Sequence, residues 1–162
     1  MDVESIENSS QLLTFFLDEE LFAIDISKIR EIIEFTKITT IPRTPAFMRG
    51  VINLRGSVVP VVDLREKFNM PIGENSVNTC IIILEIAIED GITIMGIIAD
   101  SVQEVIKLEG DQVDNPPKLG TRLPSDFLVG VGKHGANIIM ILNVDKILSA
   151  EELSTTMQED AA

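Results

Sequence analysis

The sequence predicts an all-β protein with a few short helices, and three observations carry that prediction. The apolar residues are mainly Ile, Val and Leu, with seven Phe and neither Trp nor Tyr, a mix that suits pleated strands better than helices. The apolar runs have strand length and are closed by clusters of Gly, Pro, Asn and Asp. The chain also repeats itself. Residues 23–32 align without a gap to residues 96–105, Pro42 corresponds to Pro116, Gly50-Val51 to Gly130-Val131, and Gly56 loosely to Gly135. Two degenerate copies of a five-strand unit, each about as long as a small closed barrel, account for all three.

Taken in order, residues 1–10 are polar and acidic and read as a tail. Residues 11–17 form a strand, Asp18-Glu19-Glu20 a turn and residues 21–26 the returning strand, with Phe15, Phe16 and Phe22 available for packing. Residues 25–31 make a helical turn or strand corner with Ser27 as a candidate N-cap. Residues 32–41 are extended, on their β-branched content, until Pro42 and Pro45 close them. Residues 48–64 follow as two apolar strands broken by Asn53-Leu54-Arg55-Gly56, whose glycine permits a positive-φ turn. Residues 64–68 form one helical turn before the Pro71-Ile72-Gly73 loop. The pattern then restarts. Residues 79–88 and 92–99 are strands around Glu89-Asp90-Gly91, so apolar that both faces must be buried or packed inside a barrel. Residues 102–108 stay extended up to Asn115-Pro116-Pro117. Residues 127–131 and 137–142 form a last hairpin, residues 145–153 have helical spacing, and an acidic tail closes the chain.

Composition bounds the function. The 162 residues suit one domain or two small barrels. A net charge of −13 argues against a general nucleic-acid or anionic-membrane binder, both of which require a positive surface. The single cysteine, Cys80, cannot form an intrachain disulfide, which fits a reducing compartment. The N-terminus has neither the basic nor the apolar region of a signal peptide. The longest apolar run is far short of a membrane span, so the chain reads as soluble.

Candidate chemistry is sparse. Gly130-Val131-Gly132-Lys133-His134-Gly135 matches G-x-G-x-x-G, but a dinucleotide fingerprint requires a helix next, and a strand follows. These glycines read as hairpin-tip residues. His134, the only histidine, lacks a nucleophile, an orienting partner or zinc-ligand spacing and reads as a loop histidine. Cys80 opens an apolar strand and reads as a buried thiol. The carboxylate pairs Asp18/Glu19, Glu89/Asp90 and Glu151/Glu152 read as solvated turns. No catalytic constellation, cofactor site or metal site is predicted, and a binding protein is favoured over a small β-barrel enzyme or ligand-binding barrel. Arg55 is a lone guanidinium between two apolar strands. It stands either in an ion pair or on a surface meant to be touched.

Three stretches carry a family resemblance: residues 44–51, Asn53-Leu54-Arg55-Gly56 followed by Val58-Val59-Pro60-Val61-Val62-Asp63-Leu64-Arg65, and residues 22–32. Together they resemble the CheW family of chemotaxis coupling proteins, and the likeness runs to about Leu153. It implies two intertwined five-stranded SH3-like barrels over residues 11–153, between tails 1–10 and 154–162. It implies a non-catalytic, cytoplasmic scaffold, monomeric alone, recruited to membrane-associated arrays. There the scaffold bridges a chemoreceptor hairpin tip and the regulatory domain of the histidine kinase CheA. The same module in another chemosensory pathway, such as surface motility or second-messenger control, fits equally. Carried over residue by residue, the receptor-facing set is Ile29, Glu31, Gly50, Asn53 and Arg55, in a groove between the barrels. The kinase-contact loop falls on Lys118 and Leu119, with Lys118 where the family carries an acidic residue. On this reading Glu31 pairs with a receptor cation or braces Arg55.

Overall fold

The structure, a computed structural model, describes residues 11–88, 91–115 and 127–149. The first half runs β1 (Leu12–Leu17), β2 (Glu20–Asp25), a 3₁₀ turn (Ile26–Lys28), β3 (Ile29–Glu34), β4 (Met48–Leu54), β5 (Ser57–Val62) and α1 (Leu64–Lys67). The second runs β6 (Cys80–Ile88), β7 (Gly91–Ala99), β8 (Ser101–Ile106), a 3₁₀ turn (Gly110–Gln112), β9 (Val113–Asp114), β10 (Leu128–His134), β11 (Asn137–Leu142) and α2 (Val144–Ile147). The fold is all-β with short helices, as the sequence predicts.

The strands form two sheets, and each sheet draws on both halves. One has the order β8-β1-β2-β11-β10-β9, the other β3-β6-β7-β5-β4. Both contain a parallel join between repeats, β11 with β2 and β5 with β7. The two-residue β9, paired to Val131, makes the first sheet six-stranded. Its counterpart in the second sheet is a single bridge, Thr39 to Val51. The second sheet has the five strands the sequence predicts, and the first adds the two-residue β9 as a sixth.

Period-2 alternation distributes the core. Ala23, Ile139 and Ile141 point into a cluster inside the first sheet, while Phe22, Ile24 and Leu142 point into a shared core between the sheets. Ile81, Ile83 and Ile98 likewise fill the second sheet, and Ile82, Leu84 and Ile97 the shared core. Strands β6 and β7 are thus buried on both faces, which is why their runs are continuously apolar. Each fully buried Ile contributes about 1.5–3 kcal/mol. The aromatic rings run through the shared core, Phe15 stacked on Phe22, Phe22 stacked on Phe68, and Phe68 tilted against Phe127.

Local details differ from the sequence reading in four places. Asp25 caps the first 3₁₀ turn, its Oδ1 accepting from the Ser27 N–H at 2.8 Å, so Ser27 is not the N-cap. β3 ends at Glu34 because β6 begins opposite it at Cys80, which leaves residues 35–41 without a ladder partner apart from Thr39. The tip of the last hairpin is Gly135-Ala136, with Gly130 and Gly132 inside β10. In register Gly135 therefore matches Arg55, and Gly56 matches Ala136. The last helical turn spans Val144–Ile147, and residues 150–153 of the predicted helix lie outside the described residues.

Candidate functional site

The β4–β5 hairpin presents Arg55 by a local mechanism. Asn53 Oδ1 accepts from the Gly56 N–H, three residues on, at 2.8 Å and so ties the two sides of the tip together. Arg55 and Gly56 both adopt positive φ, 50° and 88°, which turns the chain back at the tip. From there Arg55 Nη2 donates to Glu31 Oε1 on β3 at 2.7 Å. The arginine side chain is 67% exposed and the glutamate 29%. Beside the tip, Val58 stands opposite Asn53 and is 73% exposed. The result is a charged pair and an apolar side chain offered together to solvent. On β3, Arg30 Nη1 also reaches Glu85 Oε1 at 3.5 Å.

The other predicted site residues sit apart from this pair. Ile29 is half-buried against the shared core. Gly50 is buried, with φ 143°, and a Cβ there would lie 2.0 Å from the Thr39 carbonyl oxygen. The backbone that approaches Gly50 is therefore the protein's own, through the paired bonds between Thr39 and Val51 at 2.8 and 2.9 Å. Lys118 and Leu119 lie outside the described residues. Glu31 does brace Arg55 within the chain.

Behind the hairpin lies a buried charge network that sequence reasoning missed. Asp63 caps α1, accepting from the Arg65 N–H at 3.0 Å, from Arg65 Nε and Nη2 at 2.9 Å each, and from Arg49 Nη1 at 3.0 Å. Arg65 Nη1 reaches Asp100 Oδ1 at 2.6 Å, and Asp100 accepts from the Asp18 N–H. Burial alone works against the Arg65 guanidinium, but hydrogen bonds and charge from Asp63 and Asp100 outweigh it and hold its pKa above the ordinary value. The only signal for this in the sequence was Asp-x-Arg at a helix start.

Among the described residues, no group of three or more His, Cys, Asp or Glu could hold a metal ion. Burial pushes the Cys80 thiol up, away from reactivity. Among the described residues, no helix is long and apolar enough to cross a membrane.

Known proteins resemble this chain over most of its length. Residues 11–152 match the family model for the CheW-like domain. The chain is 35% identical to the chemotaxis protein CheW of Klebsiella aerogenes over 144 residues, covering 89% of this chain and 84% of that one. It is 27% identical to protein FrzA of Myxococcus xanthus, covering 81% and 86%. The crystal structure of the scaffolding protein TtCheW from Thermoanaerobacter tengcongensis superposes with a TM-score of 0.78 at 33% identity, covering 89% of this chain and 90% of that one.

Proposed function

The chain belongs to the CheW-like domain family, and from that premise we propose that it is a non-catalytic scaffold coupling the cytoplasmic tip of a chemoreceptor to the histidine kinase CheA. Residues 11–153 form the coupling domain. The protein is monomeric alone, works in the cytoplasm, and joins membrane-associated arrays through these two partners.

The observation that carries the reading is the exposed Arg55–Glu31 pair beside Val58. An ion pair this open is worth roughly 0–1 kcal/mol to the fold, so stability gives little reason for it. A receptor helix laid across the hairpin meets a guanidinium fork, a carboxylate and an apolar side chain, as helix-in-groove recognition requires. Ile29 lines the groove toward the shared core, Asn53 fixes the turn, and Gly50 sets the path of β4. Lys118 and Leu119 serve the kinase.

Titration of a purified receptor signalling-tip fragment tests this. Arg55→Ala and Glu31→Ala are each expected to weaken binding by about 1–3 kcal/mol, roughly 5- to 150-fold, with an unchanged circular dichroism spectrum. Unaltered affinity in both folded variants would sink the assignment. The relative named FrzA keeps a second reading in view, the same coupling in another chemosensory pathway. A preference for receptors and kinases of such a pathway over the chemotaxis pair would select it.

A further inference from the structure

Strand register aligns the two repeats more closely than residue identity does. Ile29 pairs with Leu84 as Val102 pairs with Phe15, and Ile32 with Ile82 as Val105 with Leu13. Leu54 pairs with Ser57 as His134 pairs with Asn137. Glu31 therefore corresponds to Glu104, Arg30 to Gln103, Glu85 to Phe16 and Arg55 to Gly135. In the second sheet these positions make two ion pairs, Arg55 with Glu31 and Arg30 with Glu85. In the first sheet both cations are missing. Glu104 keeps its place, yet Gly135 offers it no side chain, and Lys133 is turned to Asp114 at 3.3 Å.

Where the ion pairs are missing, a cavity of about 650 Å³ opens across β1, β2, β8 and β11. Its floor is apolar, with Phe16, Leu21 and Ile106, and its rim carries Glu19, Glu20 and Glu104. None of these three carboxylates makes an ion pair among the described residues. Ile138 stands at the mouth, 59% exposed. Concave apolar walls with a few converging polar groups are the usual form of a binding site.

We propose that this cavity receives an arginine of a partner polypeptide together with an adjoining bulky apolar residue. The guanidinium takes the place that Arg55 fills in the other repeat, its planar fork against Glu104 and Glu20 and its face toward Phe16. The apolar neighbour covers Leu21 and Ile138. Complementary charge selects this occupant, because three carboxylates and no Lys or Arg line the cavity, beside Thr14, Gln103, Asn137 and His134, on a chain of net charge −13. The site lies on the opposite sheet from Arg55 and Glu31 and does not depend on the receptor reading.

The test is a titration of the isotope-labelled full chain with a capped Gly-Leu-Arg-Leu-Gly peptide, followed by amide chemical shifts. Shifts are expected at Phe16, Leu21, Glu104 and Ile138. A peptide with Gln in place of Arg should leave them still. Glu104→Gln should weaken binding roughly fivefold. Gly135→Arg supplies the missing cation from within. Gly135 has φ 63°, close to the 50° of Arg55, and open space where a Cβ would stand, so this variant should fold and abolish binding. Four results would overturn the proposal: no shifts at millimolar peptide, shifts centred on the β4–β5 tip, equal binding by the Gln peptide, or undiminished binding by Gly135→Arg. Shifts at the same residues on raising protein concentration without peptide would overturn it too, pointing to self-association.

Discussion

At the scale of single residues, two arginines ten positions apart do opposite things. Arg55 is open to water, and its pair with Glu31 adds little to the fold. Arg65 is 1% exposed against Asp63 at 0%. Removing one partner of a buried pair leaves an uncompensated charge, whatever the net worth of the intact pair. Arg65→Leu is therefore expected to cost about 3–5 kcal/mol in urea denaturation, and Arg55→Ala less than about 1 kcal/mol. Equal losses would show that burial does not separate the two roles. Both arginines follow an apolar strand in the sequence, and the only local difference is that Arg65 stands two residues after Asp63 at a helix start. Asp63 and Asp100, which arrive from different halves, make the difference.

At the scale of elements, the β4–β5 hairpin was legible because its turn chemistry is local. Asn53 and Gly56 close the tip wherever the hairpin lies. Gly50 is different, since its meaning comes from Thr39, which bridges to β4 from the irregular stretch after β3. Gly50→Ala should cost about 2–4 kcal/mol through the clash with the Thr39 carbonyl and the unfavourable φ. Gly56→Ala, with open space around it, should cost about 1–2 kcal/mol from backbone strain alone. Thermal unfolding of both variants checks the order, and a larger loss at Gly56 would contradict it.

At the scale of the whole molecule, the two repeats exchange strands, and their joints carry opposite polarity. α1 sends Arg65 to Asp100 at the β7–β8 corner. α2 sends Asp145 to Lys28 at the β2–β3 corner, at 2.5 Å, and also accepts from the Ala87 N–H at 2.9 Å. In register Asp100 matches Ser27 and Lys28 matches Ser101. Two first halves joined to each other would therefore set Arg65 against Ser27 next to Lys28, and two second halves Asp145 against Ser101 next to Asp100. Like charges so placed disfavour both homodimers. Fragments 1–75 and 76–162, divided in the exposed loop of residues 71–78, should be unfolded alone and form a one-to-one complex on mixing. Sedimentation and circular dichroism would show this, and a folded homodimer of either fragment would contradict it.

By itself the sequence determined the strand class, the two-copy repeat, the hairpin tips and the failure of the glycine motif as a nucleotide loop. Each of these rests on period-2 patterning, turn chemistry or the order of neighbouring elements, all of which act over a few residues. The tertiary structure alone decided which strands share a sheet, that Glu31 meets Arg55, that Arg65 is buried, and that Glu104 has no cation beside it among the described residues, at an open cavity. Those outcomes depend on pairings between residues tens of positions apart. Such pairings are set by closing two sheets around three apolar clusters, and no short stretch of chain encodes that closure.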